Sequence, residues 1–258
     1  MNRIDRLFRN KPREVLSVYF TAGYPNINDT QKIIETLDHE GVDMIEVGIP
    51  FSDPMVDGPV IQESNKVSLE NGMNLNHLFE QIQAIRKNTD IPLLLMGYLN
   101  PVFHYGMKQF CLDCHHAGID GVILPDLPVE VYRQQYKSLF READLYNIFL
   151  VTPYTKKERL KIILSEARGF VYMVSSSATT GKLKSIDEHL NYVREIQDIK
   201  EDIPVMVGFG IDSHQKFRQV CQHANGGIIG SAFIRQLHAN GSLEPRIGSF
   251  IRSIKHSG

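Results

Sequence analysis

The length, composition and charge of this chain exclude several classes of protein. It has 258 residues, of which 42% are hydrophobic and 22% charged, with a formal net charge of −2. This balance is typical of a globular protein and provides no basic excess for nucleic acid or a membrane surface. No apolar run approaches the roughly 20 residues of a membrane span, and Met1–Phe8 lacks a signal peptide's apolar stretch. We therefore expect a cytoplasmic protein that binds neither nucleic acid nor membrane.

Short apolar runs recur along the chain and predict eight strands. Most have four or five residues rich in Val, Ile, Leu and Met, without polar alternation, which is typical of parallel strands buried on both faces. In chain order they are Leu16–Phe20, Met44–Val47, Leu93–Met96, Gly121–Leu124, Asn147–Val151, Phe170–Val174, Val205–Val207 and Gly227–Ile229.

Amphipathic segments separate these runs and predict helices, as in the spacing of Leu78, Ile82 and Ile85. Strand and helix in alternation predict a parallel α/β sheet, and eight units favour a closed (β/α)₈ TIM barrel. A repeated sequence motif supports the barrel: Gly41-Val42-Asp43 and Gly118-Ile119-Asp120 each precede a predicted strand, and in each the Gly can end the preceding helix. Since no linker interrupts the pattern, we expect one domain over residues 1–258.

The segment Cys111-Leu112-Asp113-Cys114-His115 has the spacing of a c-type haem attachment site. Phe110, Cys111 and Cys114 also have the spacing of a buried helix face, where free cysteine behaves as a small hydrophobe. We favour the helix, because haem attachment requires export and no export signal is present.

Glu46 lies near the end of the second predicted strand, inside an otherwise apolar run. Active sites of such barrels lie at the carboxyl ends of the strands. Burial of a lone carboxylate is costly, so we expect a raised pKa and a role in acid–base chemistry. The alternative is a structural Glu that bonds a backbone group or an Arg. The loop Phe51–Pro59 follows and carries Asp53 and Asp57, of which we expect one to form a turn or cap a helix.

The last two predicted strands lead into the glycine-rich turns Gly208-Phe209-Gly210 and Gly230-Ser231. Glycine lets backbone N–H groups approach an anion, and barrels often bind phosphate after strands seven and eight. The longer polar loop Ser175–Ser185 follows strand six and is either a lid that excludes water or a solvated connection.

Other common catalytic patterns do not occur in the sequence. No Lys lies at a predicted strand end to form a Schiff base, and no His cluster there indicates a metal. No dinucleotide fingerprint opens a helix. The chemistry must therefore depend on carboxylates, aromatic side chains and backbone dipoles.

The stretch Ile45–Pro59, IEVGIPFSDPMVDGP, closely resembles the signature of the tryptophan synthase alpha chain family. The resemblance extends over nearly the whole chain. It includes two strand ends and three phosphate-binding turns: Met96–Pro101, Pro125–Glu130, Thr180-Gly181, Gly208–Gly210 and Gly230-Ser231.

The resemblance implies a carbon–carbon lyase of tryptophan biosynthesis, which cleaves indole-3-glycerol phosphate to indole and glyceraldehyde 3-phosphate. By position, Glu46 would protonate C3 of the indole and assist loss of the glycerol hydroxyl proton. Asp57 would accept a hydrogen bond from the indole N–H. The implied substrate-binding residues are Tyr19, Tyr98, Leu99, Tyr172, Thr180, Gly181, Gly210, Gly230 and Ser231.

The resemblance also implies a partner, a pyridoxal-phosphate-dependent beta chain in an alpha2-beta2 heterotetramer. The cofactor would lie on the beta chain alone, and the loop 51–54 would be part of the interface. The lid departs from the family, because Ser176 occupies a position where many relatives have Arg, and Ser177–Gly181 differs from the common Gly-Val-Thr-Gly.

Two other functions are compatible with parts of this sequence pattern. Another phosphate-binding barrel, such as indole-glycerol-phosphate synthase or a sugar-phosphate isomerase or epimerase, fits the fold and the phosphate site. The stretch Glu46–Pro59 argues against it, because those enzymes place different catalytic groups on different strands. A catalytically silent subunit that activates a partner would be expected to lack Glu46 or Asp57, and both are present.

Overall fold

The strands of the computed structural model follow the sequence prediction closely. The structure describes residues 1–55, 57–174, 186–208, 210–239 and 241–256, with the backbone alone for 186–191. The strands are β1 (Val15–Thr21), β2 (Met44–Gly48), β3 (Leu93–Met96), β4 (Gly121–Ile123), β5 (Tyr146–Asn147), β6 (Phe149–Val151), β7 (Val171–Val174), β8 (Val205–Gly208) and β9 (Gly226–Ile229).

All pairings between these strands are parallel, in the order β5-β4-β3-β2-β1-β9-β8-β7-β6. The fifth predicted strand is divided into β5, which pairs with β4, and β6, which pairs with β7. Ile148 joins them, and its N–H donates to the Val122 carbonyl at 2.9 Å. Because one continuous stretch of chain changes partner at Ile148, the parallel sheet closes into a TIM barrel.

Helices follow the strands as the alternating pattern predicts. Their bounds are α1 (Arg3–Asn10), α2 (Asp29–His39), α3 (Pro59–Glu70), α4 (Leu75–Ile85), α5 (Leu99–Tyr105), α6 (Met107–Ala117), α7 (Val129–Val131), a π-helical turn (Tyr132–Tyr136), α8 (Lys137–Glu142), α9 (Lys157–Glu166), α10 (Ile186–Ile199), α11 (His214–Cys221), α12 (Ser231–His238) and α13 (Leu243–Lys255). No helix of the described segments has the length and apolar character needed to cross a membrane.

The barrel interior and the layer under the helices form two apolar clusters. The interior cluster contains Met44, Leu94, Tyr172 and Met206 from the strands and is closed at one end by Ile4 of α1. Alternate residues of each strand point inward, so Glu46, two positions after Met44, also faces the interior. An apolar interior that surrounds one carboxyl group is therefore a direct product of strand periodicity.

The repeated Gly-x-Asp sequence has a specific structural role. Gly41 and Gly118 both have positive φ just after a helix, at 73° and 76°, as the prediction required. Asp43 then pairs reciprocally with Leu16: its backbone N–H donates to the Leu16 carbonyl, and its carboxylate accepts the Leu16 N–H at 2.8 Å. Asp120 makes the same pair with Leu93. Each Asp therefore secures the start of a neighbouring strand, a role that the sequence pattern did not reveal.

The cysteine motif lies on a helix, as expected. Cys111 and Cys114 are both in α6 and both buried on its inner face with Phe110. This confirms their prediction as apolar packing residues.

The buried ion pairs of Asp120 lead to a prediction about stability. Asp120 is 3% exposed and binds Arg86 at 3.2 Å and Arg3 at 3.0 Å, whereas Asp90, 67% exposed, also binds Arg3. Asp120→Ala should lower the free energy of unfolding by about 3–5 kcal/mol, because the buried Arg86 loses its partner. The matched control Asp90→Ala should cost about 0–1 kcal/mol. Urea denaturation measures both, and equal losses would contradict the prediction.

Candidate active site

Glu46 lies in the middle of β2 with its side chain fully buried. Ser17 of β1 donates a hydrogen bond to its Oε1 at 2.9 Å, while the buried Oε2 has no hydrogen-bond partner among the described residues. Burial raises the pKa of Glu46 to about 8, against the opposing effect of the Ser17 hydrogen bond. At neutral pH the carboxyl group is therefore mostly protonated, as an acid that gives and retakes one proton requires.

Tyr19 and Tyr172 lie beside Glu46. Burial raises the pKa of both phenols, and the charges of Glu46 and Asp57 raise them further. Gly48 and Gly208 stand at strand ends where a Cβ atom would overlap the Tyr19 and Tyr172 rings, respectively. These glycines therefore make room for two neutral aromatic rings at the mouth of the barrel.

Asp57 is half-buried in the loop between β2 and α3. Tyr98, just after β3, donates a hydrogen bond to its Oδ2 at 3.1 Å. Burial raises the pKa of Asp57, and the bond from Tyr98 acts in the opposite direction. The Tyr98 ring also packs on Phe51, with ring centroids 5.1 Å apart, so the loop is held against the neighbouring strand end.

Two residues of α3 hold the loop between β2 and α3 by hydrogen bonds to its backbone. Asn65 accepts the Phe51 N–H at 3.2 Å, and Gln62 donates to the Asp57 carbonyl at 2.9 Å. The exposed Asp53 makes only local contacts in the described structure: its carbonyl accepts the Met55 N–H and its carboxylate accepts from the adjacent Ser52 hydroxyl. Asp53 is therefore a turn residue, whereas Asp57 is bound by Tyr98 and acts electrostatically on Tyr19 and Tyr172.

A cavity opens at the carboxyl ends of the strands and brings together five of the predicted binding residues, which are Tyr19, Tyr172, Gly210, Gly230 and Ser231. Gly210 has φ +59°, a conformation that favours glycine. Gly230 is the N-cap of α12, whose first turn presents backbone N–H groups. The arrangement suits an anion.

Two charged residues of this cavity are not evident from the glycine pattern. Asp212 and Arg235 both line it. The hydrogen bond from Lys216, at 2.7 Å, lowers the pKa of Asp212, and the charge of Arg235 contributes to the same effect. Arg235 follows Ser231 by four positions on α12, so helix periodicity was the signal that could have found it.

The remaining predicted residues lie elsewhere. Leu99 begins α5, where both carboxylate oxygens of Asp126 accept its backbone N–H, at 2.9 and 3.0 Å. Neither Leu99 nor Tyr98 is among the cavity-lining residues. Thr180 and Gly181, with the rest of the predicted lid, fall outside the described residues.

The residues present suit proton transfer. Within the described parts of the chain, no three His, Cys, Asp or Glu side chains are grouped as metal ligands. Glu46, a neutral buried acid, and Asp57, a half-buried carboxylate, both act electrostatically on Tyr19 and Tyr172. The two tyrosines line the cavity with the glycine turns, whereas neither carboxyl group is among the lining residues.

Comparison with known proteins agrees with this architecture. The sequence model of the family "Tryptophan synthase alpha chain" matches residues 6–249. The tryptophan synthase alpha chain of Christiangramia forsetii is 47% identical over 256 residues, covering 99% of both chains. That of Flavobacterium psychrophilum is 49% identical over 242 residues, covering 93% of this chain and 95% of the relative.

Solved structures give the same result. The tryptophan synthase alpha chain of Legionella pneumophila superposes with a TM-score of 0.89 at 32% identity, covering 99% of this chain and 96% of that one. A chain of tryptophan synthase from M. tuberculosis, in its aminoacrylate-bound form, superposes with a TM-score of 0.88 at 32% identity, covering 99% and 98%. The sequence matches and the shared fold show that the chain belongs to the tryptophan synthase alpha chain family.

Proposed function

We propose that this chain is a carbon–carbon lyase that cleaves indole-3-glycerol phosphate to indole and glyceraldehyde 3-phosphate in tryptophan biosynthesis. The observation that carries the proposal is Glu46, a fully buried carboxyl group in the middle of strand β2 with a pKa near 8. Tyr19 and Tyr172, which interact with Glu46, also line the cavity that contains the glycine turns suited to phosphate.

Glu46 acts first as an acid and then as a base. It gives its proton to C3 of the indole ring, which becomes a cationic indolenine. The bond between C3 and the first glycerol carbon then breaks and its electron pair returns to the ring. The hydroxyl proton of that carbon passes back to Glu46 as the aldehyde forms, so the acid is regenerated. Because Oε2 is buried, the carboxyl group or the adjacent tyrosine rings must move for the substrate to reach it.

Asp57 stabilises the positive charge that C3 protonation creates. Its carboxylate accepts a hydrogen bond from the indole N–H, while the Tyr98 hydroxyl holds the other side of the group. A fixed negative charge placed where positive charge develops favours the transition state over the ground state.

The proposal is tested by incubating the purified chain with indole-3-glycerol phosphate and measuring indole release by chromatography, alone and with a tryptophan synthase beta chain. Release that saturates with substrate supports it. Absence of release under both conditions would contradict the enzyme function.

The substrate phosphate should bind the glycine turns at the end of the cavity. Gly210→Val is expected to weaken binding of glycerol 3-phosphate at least tenfold, because φ +59° strains any other residue and shifts the backbone N–H groups. Gly241 has φ +104° and open space around it but lies outside the cavity, so Gly241→Val is the matched control. Isothermal titration calorimetry compares the affinities of the two variants for glycerol 3-phosphate. Equal affinities would show that the turn at Gly210 does not bind the phosphate.

We further propose that a pyridoxal-phosphate-dependent beta chain binds at the barrel mouth, in an alpha2-beta2 heterotetramer. The cofactor belongs to that partner, and no cofactor of this chain enters the reaction. Large apolar side chains are exposed here: Met55 on the loop before α3, and Phe103 on α5, which is 64% exposed. Exposed apolar side chains grouped at one face are typical of protein interfaces.

Phe103→Asp should therefore weaken beta-chain binding by tenfold or more, because it places a charge in an apolar contact. The control Leu112→Asp alters a 41% exposed side chain on α6 and should leave affinity unchanged. Sedimentation velocity with a purified beta chain measures both. Equal binding by the two variants would exclude this face.

A further inference from the structure

The carboxyl group of Glu46 is held by one neighbour deep inside the barrel. Ser17 and Glu46 are both fully buried, and the 2.9 Å hydrogen bond between them joins adjacent strands. In the β1–β2 register, Ser17 lies opposite Met44, and Tyr19 lies opposite Glu46. The hydroxyl therefore reaches the carboxyl group from the inward-facing position one step nearer the amino ends of the strands.

Packing alone does not account for a serine at this position. Its cross-strand neighbours on the two sides are Met44 and Ile228, both apolar and buried. A buried hydroxyl is costly unless it is hydrogen-bonded, and the bond to Glu46 provides its partner. A polar residue in the apolar run Val15–Phe20 is the same kind of signal that singled out Glu46 in β2.

We propose that Ser17 is a positioning residue that assigns different roles to the two oxygens of Glu46. Ser17 donates to Oε1, so Oε1 acts as the acceptor, and the proton of the neutral acid resides on Oε2. Oε2 is then the oxygen that delivers the proton to the substrate and takes it back. This assignment rests on the proposed function, in which Glu46 is the acid.

The groups around the carboxyl group determine the expected pH effect. Tyr19 and Tyr172 are its ionisable neighbours, and the charge of Asp57 acts on both of them. Burial keeps both phenols neutral. Ser17 stabilises the charged form and so lowers the pKa of Glu46 against the larger effect of burial. Removing the hydroxyl must therefore raise that pKa, and it also removes the hydrogen bond that orients the carboxyl group.

The test compares Ser17→Ala with Ser17→Thr, which keeps the hydroxyl. For Ser17→Ala we expect kcat to fall about tenfold with KM nearly unchanged, since a misplaced acid impairs the reaction more than binding. The alkaline limb of its rate profile should move to higher pH. Ser17→Thr should restore both properties. An unchanged or increased kcat with an unmoved limb in Ser17→Ala would overturn the proposal.

A second measurement needs no substrate. Glutamate labelled with ¹³C at the carboxyl carbon reports the Glu46 titration by NMR, with Glu46→Gln identifying the signal. The pKa should be higher in Ser17→Ala than in the original chain, and an equal pKa would overturn the proposal. Inactivity of the original chain would count against the proposed function alone, because the NMR titration would still decide the role of Ser17.

Discussion

Glu46→Gln is expected to lower kcat for indole release by about 10²–10⁴-fold, the usual contribution of a general acid–base group. The amide has nearly the same shape and can still accept the Ser17 hydrogen bond, but it has no acidic proton to transfer. Steady-state kinetics with indole-3-glycerol phosphate gives the change in kcat, and calorimetry gives the affinity, which should remain within a few-fold. Near-normal turnover by this variant would show that another group is the acid.

The raised pKa of Glu46 also predicts how the rate of the reaction depends on pH. The neutral form of Glu46 is the active one, and its pKa is about 8. Activity should therefore be retained through neutral pH and decrease as the pH rises through about 8, as the acid ionises. A kcat profile between pH 6 and 10 measures this limb. A profile in which activity instead increases through pH 8 would mean that ionised Glu46 is the working form.

Asp57→Asn is expected to lower kcat by about 10²-fold, because the site loses the negative charge that opposes the developing indolenine cation. The amide can still accept the Tyr98 hydrogen bond, so loop geometry should be preserved. Stopped-flow measurement of a single turnover, at saturating enzyme, separates this loss from any change in product release.

Asp53→Asn is the matched control, since Asp53 lies on the same loop, is exposed and has only local contacts among the described residues. It should leave kcat unchanged. An equal loss of kcat in the two variants would mean that kcat depends on the total charge of the loop. Asp57 would then have no specific role at the indole nitrogen.

Most of the fold was predictable because it depends on local regularities. Eight apolar runs located the strands to within a residue or two, and the fifth differed only in changing its pairing partner at Ile148. The raised pKa of Glu46 was predictable for a related reason. A single carboxyl group in an apolar strand faces desolvation wherever the other strands lie.

The contacts that distinguish one polar residue from another are evident only in the tertiary structure. The residue pattern alone did not separate Asp53 from Asp57, and only the family resemblance selected Asp57. In the structure the approach of Tyr98 from the end of β3 distinguishes Asp57 physically. Arg235 joins the cavity because α12 starts at the end of β9.

The amino-acid sequence by itself determined the alternation of strands and helices, the burial of Glu46 and the glycine turns, since each follows from spacing along one segment. The tertiary structure alone decided the partners of these groups. The hydroxyl that holds Glu46 comes from 29 positions away in the chain. Hydrogen bonds act over about 3 Å between side chains, and only strand pairing and barrel closure bring such distant residues within that range.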